Sequence, residues 1–224
     1  MKKLFFPIIL FFLTEIHVHG QEPVTVKFGE DINQISVSGK YLFPEFQNAR
    51  VFRQHESFEV QMNYNALTGE MEFIDPTGTI LALGDVVQFI VFGKRIFKQT
   101  PKGYLEILAD DSGVEFLVHR QYKVGDIKKH GAYGTTSSTT SITSYSAITA
   151  DPNYFSLSLA QDAIYFKTDT YYIYAARRYR LANRSGFTRV FGRQRPGLKD
   201  YLKQEPVNFS NGEDLIRLFT YCSQ

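Results

Sequence analysis

FEVQMNYNALTGEMEFIDPTGTILAL, residues 58–83, is the stretch that decides the fold. Phe58, Val60, Met62 and Tyr64 recur at every second position and share one face of an extended chain, while Glu59, Gln61, Asn63 and Asn65 take the other. That period of two belongs to a half-buried strand. Ala66 to Gly69 reads as a turn, and Met71 and Phe73 open a second strand. Asp75, Pro76 and Gly78 then occupy the first, second and fourth positions of a type I turn. Ile80 to Leu83 is predicted to return as a buried strand.

The same pattern extends in both directions. Upstream, Ile35 to Val37 is predicted as a first strand closed by Gly39, and Val51-Phe52 as the start of another. Between them Tyr41-Leu42-Phe43-Pro44-Glu45-Phe46 is aromatic but broken by Pro44, which cannot donate to a central ladder and so marks an edge or corner. Downstream, Val87 to Phe92 and Arg95 to Lys98 flank Gly93-Lys94, with glycine first as a type II′ hairpin requires. Asp110 to Gly113 is a cluster of turn formers joining Tyr104 to Leu108 with Val114 to Tyr122. Ala163 to Lys167 and Tyr171 to Ala175 are predicted as a hairpin turning at Thr168-Asp169. Parallel sheets need helical crossovers, and none is visible. The fold class is therefore mainly β, an antiparallel meander forming a sandwich or barrel-like domain followed by two short C-terminal α-helices.

Those helices come from the end of the chain. Ser210-Asn211-Gly212-Glu213 offers a capping box, after which Leu215, Ile216, Leu218, Phe219 and Cys222 line one helical face. Pro196 suits the first turn of another helix through Leu198, Tyr201 and Leu202, limited by Pro206. The expected organisation is a signal peptide over 1–20, a β domain over 21–180 and a basic helical appendage over 181–224 packed on it. Residues 135–149, eleven of them Ser or Thr, read as a surface loop within the β domain.

The signal peptide rests on Lys2 and Lys3, the apolar run from Leu4 to Leu13, and Gly20 before Gln21. Ten apolar residues are too few to span a bilayer, which takes roughly 20, so no transmembrane span is expected in the mature chain. Of 25 basic and 23 acidic residues the leader takes Lys2, Lys3 and Glu15, leaving a nearly neutral protein whose overall charge implies no partner. Cys222 is the single cysteine, which excludes an intramolecular disulfide framework.

Motifs for chemistry are sparse. Beyond the leader the histidines are His55, His119 and His130, none with a second His or Cys at metal-ligand spacing. His119 with Asp110, Asp111 and Glu115 could form a cluster, but a solvated hairpin face is expected. No nucleophile elbow, zinc-protease helix or cofactor motif occurs. Glu70 and Glu72 alternate on a strand and could serve acid–base work on a glycoside, the separation being fixed by the fold, although alternating strand acids are usually solvated.

Charge is most uneven in the segment from Arg177 to Lys203, whose one acid is Asp200. Arg177, Arg178, Arg180, Arg184, Arg189, Arg193 and Arg195 form the candidate anion-binding set, interleaved with Tyr179, Phe187, Phe191 and Tyr201, with a solvated basic face as the alternative reading. For an exported protein the accessible partner is an anionic envelope component or polysaccharide, with nucleic acid disfavoured.

Tyr41 to Phe46, Asn63-Tyr64-Asn65, Phe73-Ile74-Asp75-Pro76 and the ending from Asp214 to Cys222 also carry a resemblance. On these stretches the chain resembles a family of exported, functionally uncharacterised proteins of Bacteroidetes-type bacteria. The resemblance implies an exported location, periplasmic or extracellular, and assigns no functional residue. The leading expectation is a non-catalytic, envelope-associated binding or structural module, with a hydrolase using dispersed carboxylates as the alternative. An outer-membrane barrel conflicts with the polar Ser/Thr segment and the terminal helices.

Overall fold

The alternation in residues 58–83 becomes three consecutive antiparallel strands in the computed structural model, which describes residues 24–26, 39–54, 56–84, 87–130, 136–139 and 162–224. In chain order the strands are β1 (Val24–Val26), β2 (Gln47–Phe52), β3 (Ser57–Asn65), β4 (Glu70–Ile74), β5 (Ile80–Ala82) and β6 (Phe89–Phe92). They continue as β7 (Arg95–Thr100), β8 (Gly103–Asp111), β9 (Val114–His130), β10 (Thr136–Thr139), β11 (Asp162–Ala175) and β12 (Arg178–Leu181). Three helices follow: α1 (Arg184–Phe191), α2 (Leu198–Gln204) and α3 (Gly212–Ser223). All the pairings are antiparallel, and the path β1-β11-β9-β8-β7-β6-β2-β3-β4-β5 is not closed, with β10 added to β9 and β12 to β11. No helix among the described residues is long and apolar enough to cross a membrane.

Turn chemistry works as its residues dictate. Asp75 Oδ1 accepts from the Thr77 and Thr79 amides, and the Gly78 amide donates to the Asp75 carbonyl. Gly93 takes a φ of 58° between β6 and β7, a value that costs glycine little.

Several expectations are corrected. Ile80 and Leu81 are 48% and 43% exposed, because β5 pairs with β4 alone and ends the sheet. Thr168-Asp169 is no turn: β11 runs unbroken, with Thr168 opposite Gln121 and Asp169 opposite Arg120. The reversal comes later, at Ala176-Arg177, where both residues take positive φ. Val51-Phe52 ends a strand instead of starting one. Ile35 to Val37 lies outside the described residues, as do residues 1–20, expected to form a leader, and most of the Ser/Thr segment, of which Thr136–Thr139 pairs with the far end of β9.

At the helical end there is one more helix than expected. α1 rises from the arginine-rich segment, capped by Asn183, whose side chain accepts from the Gly186 amide. α3 is capped by Asn211, which accepts from the Glu213 and Asp214 amides, and not by the anticipated Ser210. Ile216, placed on the apolar stripe of α3 by the sequence, is 39% exposed, while Leu215, Leu218, Phe219 and Cys222 are buried.

Two apolar cores result among the described residues. One gathers Met62, Tyr64, Met71, Ile90, Phe97, Tyr104, Tyr122 and Tyr165 from the N-terminal strands and their neighbours. The other joins Phe116 and Ile173 of the sheet to Phe187, Leu198, Leu215 and Leu218 of the helices. Between them, on the same sheet face, lies a strip of charge. Arg95 grips Glu106 through both carboxylate oxygens at 2.6 and 2.8 Å, and Arg120 joins Glu106 to Asp169. Burial pushes the Glu106 carboxyl up, but hydrogen bonds and charge from Arg95 and Arg120 outweigh it and hold the group below its ordinary range.

The sheet has one break that matters. β8 pairs with β9 only between Val114 and Val118, although β9 runs on to His130. Beyond that pairing the β3–β4 turn takes the place of a strand: the Tyr122 amide donates to the Ala66 carbonyl at 2.9 Å, and the Tyr64 hydroxyl to the Arg120 carbonyl at 2.7 Å.

Candidate functional site

Because a turn fills the gap less completely than a strand would, a cleft of about 530 Å³ remains at the break. Its walls are the β3–β4 turn with Glu70, the β7–β8 turn from Pro101 to Gly103, and His119, Gln121, Tyr122 and Lys123 of β9, with Tyr172 of β11. Strand alternation puts His119, Gln121 and Lys123 on one side of β9. Thr170 pairs opposite His119, so Tyr172 two residues on projects from that same side. Gly103, at φ 94°, lets the chain reverse, and a Cβ there would stand 3.4 Å from His119 Nε2. The imidazole thus rests against bare backbone.

The charges in the cleft are largely unspent. Lys102 Nζ lies 5.2 Å from the centroid of the Tyr172 ring, a cation–π contact, and Lys123 Nζ is 3.4 Å from Thr170 Oγ1. Among the described residues neither lysine has a carboxylate in ion-pair range. Glu70 receives no hydrogen bond among the described residues, and burial followed by the charge of Glu72 raises its carboxyl above the ordinary range. His119 is pushed down to about 4 by burial, then by Lys123 and Lys102, so it is a neutral imidazole at physiological pH. Thr68 Oγ1, on the turn wall, is buried without a partner among the described residues, as is the Tyr104 hydroxyl in the core. Burial, then the Glu70 charge, raises that phenol to about 12.

Glu70 and Glu72 prove to do different jobs. Glu72 accepts from the Tyr41 hydroxyl at 2.6 Å and from Asn65 Nδ2 at 2.8 Å, fastening the 41–46 segment to the sheet. Glu70 alone of the two enters the cleft. His119 is not on a solvated face, and no group of acids, histidines or cysteine among the described residues could hold a metal ion. Cys222 is buried, its thiol raised to about 12 by burial against the opposing pull of Arg195.

The arginines are not gathered into the cleft. Arg180 donates to the Ala175 carbonyl within the β11–β12 hairpin, while Arg184 and Arg195 donate to the carbonyls of Leu202 and Cys222, which ties the helical end together. Arg177, Arg178, Arg189 and Arg193 stand exposed on the β11–β12 turn, on β12, on α1 and just after α1. Sequence reading missed Lys102, which sits on a turn, and Gln121, Lys123 and Tyr172, which lie on strands but whose convergence depends on the contact between the β3–β4 turn and β9. No family model matches the chain, no curated protein matches its sequence and no solved structure matches its fold.

Proposed function

We propose that the chain is an exported, non-catalytic module of the cell envelope, periplasmic or extracellular, that binds an anionic envelope component or polysaccharide through the cleft at the sheet break. The observation that carries this reading is the pair Lys102 and Lys123, two cations without carboxylate partners among the described residues, on the walls of one cleft. Opposite charge attracts an anion into a concave site more strongly than onto a flat face, because the low-dielectric walls focus the field. Glu70 is the one carboxylate among the described residues that line the cleft, which supports binding over glycoside hydrolysis, a reaction that uses two carboxyl groups. The rival hydrolase keeps one point in its favour, the raised carboxyl of Glu70.

Inorganic phosphate titrated into the mature chain, followed by backbone amide shifts, tests the site. Saturable shifts at residues 101–103 and 119–123 are expected, and a Lys102→Ala, Lys123→Ala double variant should lose them. Shifts confined to Arg177, Arg178, Arg189 and Arg193 would move the site to the basic segment. Release of product from envelope glycans, abolished by Glu70→Gln, would replace the binding reading with the hydrolase.

A further inference from the structure

Resting on the reading that the cleft binds an anion, we propose that its ligand is an acidic sugar, with the carboxylate on Lys102 and Lys123 and the ring hydroxyls on Glu70, Gln121 and His119. The argument starts from the mixed charge of the cleft. A bare oxyanion would satisfy the lysines but face Glu70, a carboxylate without a hydrogen-bond donor among the described residues. Like charges in a partly desolvated site repel, so a ligand that suits both walls must be anionic at one end and donate hydrogen bonds at the other.

Hydroxyl groups fit the remaining wall. An ionised Glu70 only accepts, a neutral imidazole offers one donor and one acceptor, and the Gln121 amide offers both. Thr68 stands on the same wall, its own hydroxyl buried and without a hydrogen-bond partner among the described residues. A polyol serves such a set in a way that a single ammonium group, matched to Glu70 alone, does not. Size agrees: about 530 Å³ lies within the range of small-molecule sites and exceeds what a lone phosphate fills.

The experiment compares glucuronate, glucose and inorganic phosphate by calorimetric titration into the full mature chain and its Glu70→Ala and Glu70→Gln variants. Glucuronate should bind at least about tenfold more tightly than either of the others, tenfold being about 1.4 kcal/mol. Loss of Glu70 should weaken glucuronate about tenfold while leaving phosphate unchanged or tightened, because a repulsive partner has gone. If Glu70→Ala fails to fold, Glu70→Gln reads the same opposite signs. Phosphate binding as well as glucuronate, or glucuronate indifferent to both Glu70 variants, would overturn the acidic sugar and leave the anion site standing. Glucose matching glucuronate would also overturn it. Saturable binding of none of the three would remove the anion site as well.

Discussion

Asn63 shows how a polar residue earns a buried place in this sheet. Its side chain accepts from the Phe43 and Tyr64 amides and donates to the Phe43 and Glu45 carbonyls, and the residue is 0% exposed. The period-two pattern placed it on a polar face, which was right about the face and silent about the 41–46 segment that covers it. His119 makes the opposite use of burial, since it gains no hydrogen-bond partner among the described residues while Lys123 and Lys102 face it. Its folded pKa of about 4 lies below the ordinary 6.5, so the unfolded chain takes up a proton first as pH falls. Stability contributed by neutral His119 is therefore complete above about pH 6.5 and is lost towards pH 4, with an upper bound of about 3 kcal/mol. Glu70, raised in the folded state, acts in the other direction over the carboxylate range and offsets part of this. Urea denaturation at pH 7, 5.5 and 4.5 should show a shallower decline for His119→Gln than for the parent chain; parallel declines would mean that the imidazole is freely solvated.

Elements differ in how far their neighbours in sequence determine them. α3 carries its own instructions: Asn211 caps it, Glu213 and Asp214 favour its positive end, and its stripe faces the core. Leu218 is 0% exposed among Phe116, Phe187 and Phe219 of the same core, so Leu218→Ala should cost about 2 to 5 kcal/mol in a chemical melt, the lost transfer energy plus the cavity left behind. Ile216→Ala, on the 39% exposed flank, should cost far less and serves as the control. β11 is the contrary case. Thr168-Asp169 has turn chemistry, yet Arg120 on the neighbouring strand pairs with the Asp169 carboxylate and holds the segment extended. The turns with glycine at a positive φ were legible because their cause is local. The long strand was not, because its cause lies 49 residues away.

For the whole molecule the decisive feature is a sheet that faces two cores divided by charge. Glu106, 5% exposed, holds Arg95 and Arg120 together, and Arg120 carries the connection on to Asp169. Glu106→Leu should cost roughly 2 to 4 kcal/mol, less than for a fully buried pair because both arginines reach solvent, and the loss should be recovered in part by also replacing Arg95. Denaturant midpoints of the single and double variants measure this; an unchanged midpoint for Glu106→Leu would make the strip dispensable. Mainly antiparallel architecture was readable from alternation and turns, whereas the cleft was not, since alternation says nothing about which turn meets which strand. The closing bonds of that cleft join chain segments 56 residues apart. Contacts of such separation incur loop-closure entropy before any reward, so the hairpins on either side are expected to form first and the cleft last. Whatever settles there meets only the finished chain, and so acts as a clasp on folding itself, slowing the opening of the sheet at the place where it was last to close.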